Sequence, residues 1–576
     1  MSSIASLGRM ISGLAAAQKG LSVTAHNISN LNTEGYIRQQ LLQHESNYLN
    51  VGTGQKLMQV GLGTSLTEIR QIRNELADRR FRTENAVRSY YQTANTVVSE
   101  VETILDEPYG EAISKMLSSF WSQAQKLATN PSGVEERLSF LQSANVLMKK
   151  QNYIMDSLQE YQENLNTEVI KTVNRINELA KSIRDYNQDI AFEESSGEHA
   201  NDLRDRRNML LDELSQYIDI TYEEQPGGKI RVKAEGRIIV DDVFVTEIDL
   251  VQAVSGSSFV KPVWKGSNES VFPFNLEITS SRGTDTGKLK ALLMARGNDI
   301  LRQDLLDASG TVIKQGTTWE DIALNDNLSV DATGNSFFIP KIMKKFEELM
   351  NSIVTAVNES FNGEGIGIHK DKLGVPVFVP IKVPPTAPPK PTEPDPNDPI
   401  YAGDEQAYIS DYNNYIDSYQ AYLKTINTYM TPGNIQVNPE LLKDGGYNKL
   451  GTVARGTDNI GDNTLVNKFL AKWSEPIKWP LDAGTSSAEP KGKTVDFMAY
   501  YNEFVTEIGA EGSLYKGKAK EKDIVVQNVD NERFAMGGVS QDEEMTYMMR
   551  YQYAYNASAR MITVLDGMME VIINQM

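Results

Sequence analysis

Two stretches of this 576-residue chain carry the glycine and lysine spacing with which a loop cradles phosphate. Gly512 to Lys518 has both glycines and the lysine, but Ala519 stands where a hydroxyl must hold magnesium. Ser487 to Thr494 ends correctly in Gly492, Lys493 and Thr494, yet Ser487 occupies the place of the first glycine. Neither follows a convincing strand, so no phosphate loop is expected. The histidines His26, His44, His199 and His369 are scattered, without the paired spacing of a metal site. The sequence contains no cysteine, which excludes disulfides, thiolate ligation and a cysteine nucleophile together. The acidic pair Asp241-Asp242 reads as turn residues, and the run Asp542, Glu543, Glu544 as partners of a helix dipole in a first turn. The expectation is a protein with no catalytic, cofactor or metal site.

Charge narrows the partners. Lys and Arg total 57 against 77 Asp and Glu, a net charge of −20 that opposes binding to nucleic acid or anionic membrane. No stretch approaches the ~20 apolar residues of a membrane span, so no membrane insertion is expected. The first residues, to about Gln18, make a poor signal peptide: Arg9 is the only basic residue there, the apolar patch is short, and a helical stripe runs through the Ala-rich cleavage point. The chain is expected to be cytoplasmic, or exported without a cleaved signal. It is also too long for one core and predicts several domains.

The elements that organise the chain lie at its two ends. Ser540 with Glu543 three residues on has the form of a capping box, so a helix is expected from there to the C-terminus. Two apolar stripes run along it. One reads Met545, Met548, Gln552, Tyr555, Ala559, Ile562, Asp566, Met569, Ile573, Met576, and the other Tyr547, Tyr551, Ala554, Ser558, Met561, Leu565, Met568, Ile572. At the other end Ile4, Leu7, Ile11, Leu14, Gln18, Leu21, Ala25 and Ile28 keep the same three-four spacing, flanked by Met10, Ala17 and Leu31. Pairing of the two ends as a coiled coil would cover one stripe and leave the other for copies of the chain or related chains. The packing residues expected are Leu7, Leu14, Leu21, Ile28, Tyr555, Ile562, Leu565 and Met569, with Met561, Leu565, Met568 and Ile572 buried between subunits.

The run Asn27 to Gln39, NISNLNTEGYIRQ, resembles the Asn-rich, Thr-x-Gly-Tyr signature of flagellar rod, hook and hook-associated proteins; its motif positions here are Asn27, Asn30, Thr33, Gly35 and Tyr36. It departs at Glu34, where the family usually has Pro, and at Ile37, usually Ser. Asp542 to Met568 resembles the last helix of the same proteins. Ala200 to Tyr217, ANDLRDRRNMLLDELSQY, and Gly433 to Asp444, GNIQVNPELLKD, are similar to the hook-associated protein 1 family, the FlgK-type proteins of the hook-filament junction. The likeness is good over 1–222 and 495–576 and thin or absent elsewhere.

Between the ends, Asn74–Asp106, Glu111–Thr129 and Glu135–Phe192 repeat apolar residues at helical spacing, with Asn130 to Gly133 as a turn, and predict long antiparallel helices. His199–Ile218 adds a helix with Leu203, Leu210, Leu214 and Tyr217 inward; its charges Asp202, Arg204, Asp205, Arg206 and Arg207 read as a solvated face. From Ile220 to about Glu277 the alternating Val and Ile pattern predicts strands. Helical spacing returns at Gly287–Asp307 and Lys341–Phe361. Ten of the 21 prolines then fall between Pro376 and Pro399, an extended connector. After it Tyr408, Tyr412, Tyr415, Tyr419, Tyr422, Ile426 and Tyr429 form a stripe expected to pack within its own small domain. The stretch from Asn434 to Ala519 has no readable pattern.

The fold expected is mainly α with inserted β-rich segments: paired terminal helices in a coiled coil, long antiparallel helices in the body, and β-containing outer inserts. The domains expected are 1–38 with 538–576 for assembly, 39–219 with 495–537 and parts of 284–363 as helical body, 220–283 as β-rich insert, and 364–494 as connector and outer insert. The resemblance implies a structural axial component of the flagellum, extracellular and exported by the flagellar route. The partners it implies are further copies of itself in a ring or helix, hook protein, a second junction or filament-type protein, and an export chaperone. A hook or distal-rod protein shares both termini, though the long helices speak against it. An exported protein with an adhesin or enzyme insert at about 370–490 is the alternative of another class.

Overall fold

The structure, a computed structural model, describes residues 2–51, 58–106, 113–272, 286–300, 305–306, 312–314, 337–362, 365–366, 374–382, 392, 394–395, 397–427, 430, 433–454, 459–478 and 494–575. Its longer helices are α1 (Ser2–Ser29), α2 (Glu75–Leu105), α3 (Ile113–Thr129), α4 (Val134–Glu193), α5 (Asn201–Tyr217), α6 (Lys288–Arg296), α7 (Phe338–Asn362), α8 (Glu405–Asn427), α9 (Thr464–Ser474), α10 (Phe497–Gly537) and α11 (Gln541–Gln575).

The body is built on α4, whose 60 residues reach about 90 Å at 1.5 Å per residue. Its apolar side repeats at three and four: Phe140, Leu141, Ala144, Leu147, Met148, Ile154, Leu158, Leu165, Val169, Val173, Ile176, Leu179, Ile183 and Ile190 are all buried. The turn before it forms as the sequence predicts, with the Gly133 amide donating to the Asn130 carbonyl at 3.1 Å. Helix α3 folds back on α4, and Phe120 stacks on Phe140 at 5.1 Å between ring centroids. Phe361 of α7 and Phe469 and Trp473 of α9 close this aromatic cluster. Deleting one such ring costs roughly 3–5 kcal/mol.

Helix α2 starts where Asn74 caps it, the side-chain oxygen accepting from the Leu76 and Ala77 amides. It packs lengthwise on α10, a helix the sequence pattern hides because Gly509, Gly512 and Gly517 interrupt its first half. Gly512 has a packing reason: a Cβ there would stand 3.0 Å from Glu102 and 3.1 Å from Val98 of α2. The expected helix over 287–307 ends instead at Arg296.

The β content consists of small antiparallel units. β1 (Gln39–Glu45) pairs with β4 (Thr64–Gln71), enclosing the hairpin β2 (Tyr48–Val51) and β3 (Met58–Gly61) in one long ribbon. β5 (Ile220–Glu224), β6 (Ile230–Ala234) and β7 (Arg237–Val240) form a meander, and β8 (Ile248–Gln252) and β9 (Val260–Trp264) a hairpin. Their buried alternate residues join the core beside α4.

Part of the stretch expected as an outer insert is built into the same core. Phe378–Pro380 pairs with Ile435–Val437, and Val377, Phe378, Ile435, Leu441, Leu450 and Val466 are buried with the α4 residues. This strand takes the first part of the expected connector, and 383–391 lies outside the described residues. Arg137 of α4, fully buried, anchors the far side of the segment by donating to the carbonyls of Pro131, Tyr447 and Leu450. On α8, successive rings from Tyr408 to Tyr422 lie 5.7–6.0 Å apart, with Tyr415 and Tyr419 buried and Tyr422 against the main core. Tyr429 is outside the described residues.

Candidate assembly interface

The two ends of the chain pair antiparallel in a seven-residue register. Gly13 faces Ser558, Gly20 faces Tyr551, and Asn27 bonds Glu544. A Cβ at Gly20 would lie 2.5 Å from the Tyr551 ring, so only glycine lets that ring cross α1. The buried side of α1 is Ala16, Ala17, Gly20, Val23, Thr24 and Asn27, and its other flank rests on β1 and β4. This corrects the expected seam. Leu7, Leu14, Leu21 and Ile28 are half-buried at its margin, Gln18 and Ala25 are exposed, and Ile11 is 51% exposed. The seam is rotated because small residues allow the closest approach, and a hydropathy pattern gives Gly and Thr no weight.

On α11 the side turned to α1 takes alternate members from both expected stripes. Met548, Tyr551, Ser558, Ile562, Leu565 and Met569 are half-buried, and Tyr555 sits at the edge, 36% exposed. Leu565 was expected to be left for a neighbouring subunit; the structure turns it toward α1. Away from α1, Met549 and Tyr553 and then Val564, Met568 and Val571 form an exposed apolar strip interrupted by Arg560, with Tyr553 73% and Val564 60% exposed. The side chain of Ile572 is outside the described residues.

The base of this pair is held by polar side chains. Asn27, 2% exposed, donates from Nδ2 to the Gln39 carbonyl at 2.9 Å and to Glu544 Oε2 at 3.0 Å. Its Oδ1 accepts from the Tyr36 hydroxyl at 2.8 Å and the Gln39 amide at 3.0 Å. All four hydrogen-bonding positions of one buried amide are thereby used. Burial, with Asp202, Asp205 and Glu544 nearby, pushes the Tyr36 hydroxyl well above its ordinary range, so it stays a donor. Arg38 donates from Nε to Glu544 at 2.7 Å and from Nη1 to Glu543 at 2.9 Å. Burial works against its charge and the two carboxylates outweigh it. The Ser540 signature does mark a start, at Gln541, but Glu543 and Glu544 act across the chain on Arg38 rather than as partners of the helix dipole alone.

The motif loop between α1 and β1 is fixed from the body side. Gly35 has φ +74°, and a Cβ there would collide with Met209 of α5. Thr33 Oγ1 donates to Asn30 Oδ1 at 3.1 Å. Asp205 of α5 accepts from the Ile37 amide at 3.1 Å and from Gln71 Nε2 at 2.7 Å, while Asp202 accepts from Gln39 Nε2 at 2.8 Å. The charges expected on a solvated face thus divide: Asp205 and Arg207 are buried, and Asp202 and Arg206 are exposed. Burial pushes the Asp205 carboxyl up to about 7, against the pull of the Ile37 amide, Arg73 and Gln71. On the opposite side Arg533 of α10 bridges Asp78 at 2.8 Å and Asp212 at 2.6 Å, and Arg82 meets Asp212 at 2.7 Å. Burial pushes Asp212 up, but Arg82 and Arg533 more than offset it and hold the carboxyl below its ordinary value.

The sequence motif Asn27 and Tyr36 meet in one node; Arg38, Asp205 and Glu544 complete it, of which Arg38 is passed over in the sequence while Asp205 and Glu544 read as a solvated face and a helix-dipole partner. The only advance signal was charge inside the ANDLRDRR run. Gly512–Lys518 lies inside α10, its backbone spent on the helix, and 487–493 is outside the described residues. Among the described residues no group of three or more His, Asp or Glu is placed to hold a metal ion.

Both the terminal helices and the helical body match proteins of the bacterial flagellar axis. Residues 98–378 match the flagellar hook-associated protein FlgK helical domain, 10–36 the flagella basal body rod protein family, and 535–576 the C-terminal family of basal body rod FlgEFG proteins. Hook-associated protein 1 of Bacillus subtilis is 24% identical over 582 residues, covering 98% of this chain and 96% of that protein. The Salmonella typhimurium counterpart is 24% identical over 51% of this chain and 52% of its own length. The hook junction protein FlgK from Burkholderia pseudomallei has the same fold, with a TM-score of 0.51 at 11% identity over 80% of this chain and all of that one. Over nearly its whole length the chain is similar to flagellar hook-associated protein 1, and its function is that of an axial structural component of the hook-filament junction.

Proposed function

We propose that the α1–α11 pair is the assembly element by which copies of this chain pack side by side, meeting hook protein on one side and a second junction or filament-type protein on the other. The observation that carries this is the exposed strip of Met549, Tyr553, Val564, Met568 and Val571, which the one partner helix in the chain leaves uncovered. A helix apolar on both sides needs a second cover. Residues 1–38 with 538–576 would then form the assembly domain and the α4 body its outward platform. The role is mechanical rather than catalytic.

The chain would reach its extracellular place by the flagellar export route with an export chaperone as escort. Ala16 and Ala17, at the supposed cleavage point, are buried in the α1 seam, which suits an uncleaved helix. Among the described residues no helix is long and apolar enough to cross a membrane.

The test is Met568→Asp. An unpaired charge in a desolvated interface costs several kcal/mol per copy, so the variant should fail to restore filaments to a strain lacking this protein while its thermal melt stays that of the parent. Normal filaments with Asp at 568 would remove the strip from the assembly surface.

A further inference from the structure

We infer that the cleft between α2, α5 and the β4–α2 link is a binding site for one tetrahedral oxyanion of the phosphate class. The cleft holds about 250 Å³ and is lined by Arg70, Arg73, Arg79, Arg204 and Arg207, by the carboxylates of Glu75, Asp78 and Glu224, and by Asn208.

Two of these guanidinium groups have buried N–H donors with nothing to bond. Arg207, 3% exposed, spends Nη1 on Asn187 Oδ1 at 2.9 Å and the Gly228 carbonyl at 2.7 Å, and its Nε has no partner. Among the described residues no carboxylate ion-pairs with it. Arg73 gives Nε to Asp78 at 2.5 Å and lies 3.8 Å from Asp205 at Nη1, so its charge is paired, but that buried Nη1 has no hydrogen-bond partner. The other charges facing the cleft are already committed. Arg204 pairs with Glu194 and Glu224, Arg79 with Glu75 at 3.9 Å, and Arg70 donates to Gln40. His199 on the rim faces Glu68 and Glu194.

The unsatisfied buried donor on Arg207, a cation that no described carboxylate pairs, calls for an acceptor that is also an anion: a water would take the hydrogen bond and leave the charge. Several oxygens on one small centre suit donors supplied from two elements, the β4–α2 link and α5, and a planar fork suits phosphate. Burial, with Arg204 and Arg73 close by, lowers the Arg207 guanidinium to about 10, so it keeps its charge at neutral pH. Because α2, α5 and β4 also hold the motif loop, a bound anion would stiffen the joint beneath the terminal pair.

The experiment is titration of the full-length chain with inorganic phosphate, then sulfate, at fixed ionic strength, read by calorimetry and thermal melting. One phosphate per chain should bind with a millimolar or tighter constant and raise Tm, and sulfate should compete. Arg207→Gln should abolish binding. Since Arg207 also supports Asn187 and Gly228, Asn208→Asp provides the second variant: it is isosteric, keeps the acceptor for Arg82, and places a carboxylate in the cleft. It should weaken phosphate at least tenfold without lowering Tm. No saturable binding to the folded parent by 50 mM phosphate overturns the assignment, as does binding that Asn208→Asp leaves unchanged.

Discussion

Glu544 and Glu543 stand side by side, carry the same charge and bond the same arginine, yet the structure gives them unequal weight. The Glu544 side chain is 3% exposed and that of Glu543 60%. Glu544→Ala strips Arg38 of its 2.7 Å partner and Asn27 of a 3.0 Å acceptor inside a closed joint. Breaking a buried pair from one side costs about 3–5 kcal/mol. Arg38 keeps Glu543 and is itself 16% exposed, so the lower end applies, about 3 kcal/mol. Glu543→Ala removes an exposed pair worth about 0–1 kcal/mol. Because the contact joins the terminal pair to the body, the loss should be local. Hydrogen exchange should show faster opening of 27–39 and 541–551 in the Glu544 variant, with α4 protection unchanged. Equal effects from the two alanines, or a loss spread through α4, would refute this account of the joint.

Three further outcomes are expected. Gly20→Ala places a methyl against the Tyr551 ring and should cost about 1–3 kcal/mol of terminal pairing, seen as lost exchange protection in α1. Asp205 holds its proton more tightly folded than unfolded, its carboxyl rising from 3.8 to about 7. Its stabilising share is therefore complete below the unfolded value and is lost as pH rises through about 7; in Asp205→Asn the decline of joint stability between pH 4 and 7 should be shallower than in the parent. Limited proteolysis of the monomer should trim α1 and α11 from their free ends and stop near Asn27 and Glu544, where the polar clasp begins; ends that resist protease throughout would show that the pair needs no neighbour.

The body was legible because its helices are long and their apolar residues strictly periodic: the turn at Asn130 to Gly133 and the strands after Ile220 fall where pattern places them. Helix α10 was not, since three glycines interrupt its pattern and the reason for Gly512 is a contact with α2 that no local window contains. The terminal seam failed for a related cause. Gly13, Gly20, Thr24 and Asn27 define it by being small or by bonding across 517 positions of sequence, and neither property is hydropathy. Asp205 and Arg207 read as surface charge because burial of an ion depends on partners elsewhere in the chain.

The polarity of the joint follows from what the outer helix is left to do. Apolar area on α11 used against the body cannot also be offered to a neighbour, and α11 shows its strip from Met549 to Val571 outward. What fixes the pair to the body is accordingly short-range and directional: one amide with four hydrogen bonds, one arginine between two carboxylates, and Gly35, whose left-handed backbone disfavours any side chain. Hydrogen bonds specify an angle as well as a distance, whereas apolar faces slide. A joint made this way sets the direction in which the terminal pair leaves the body, and it leaves the apolar strip free for whichever chain stands beside it.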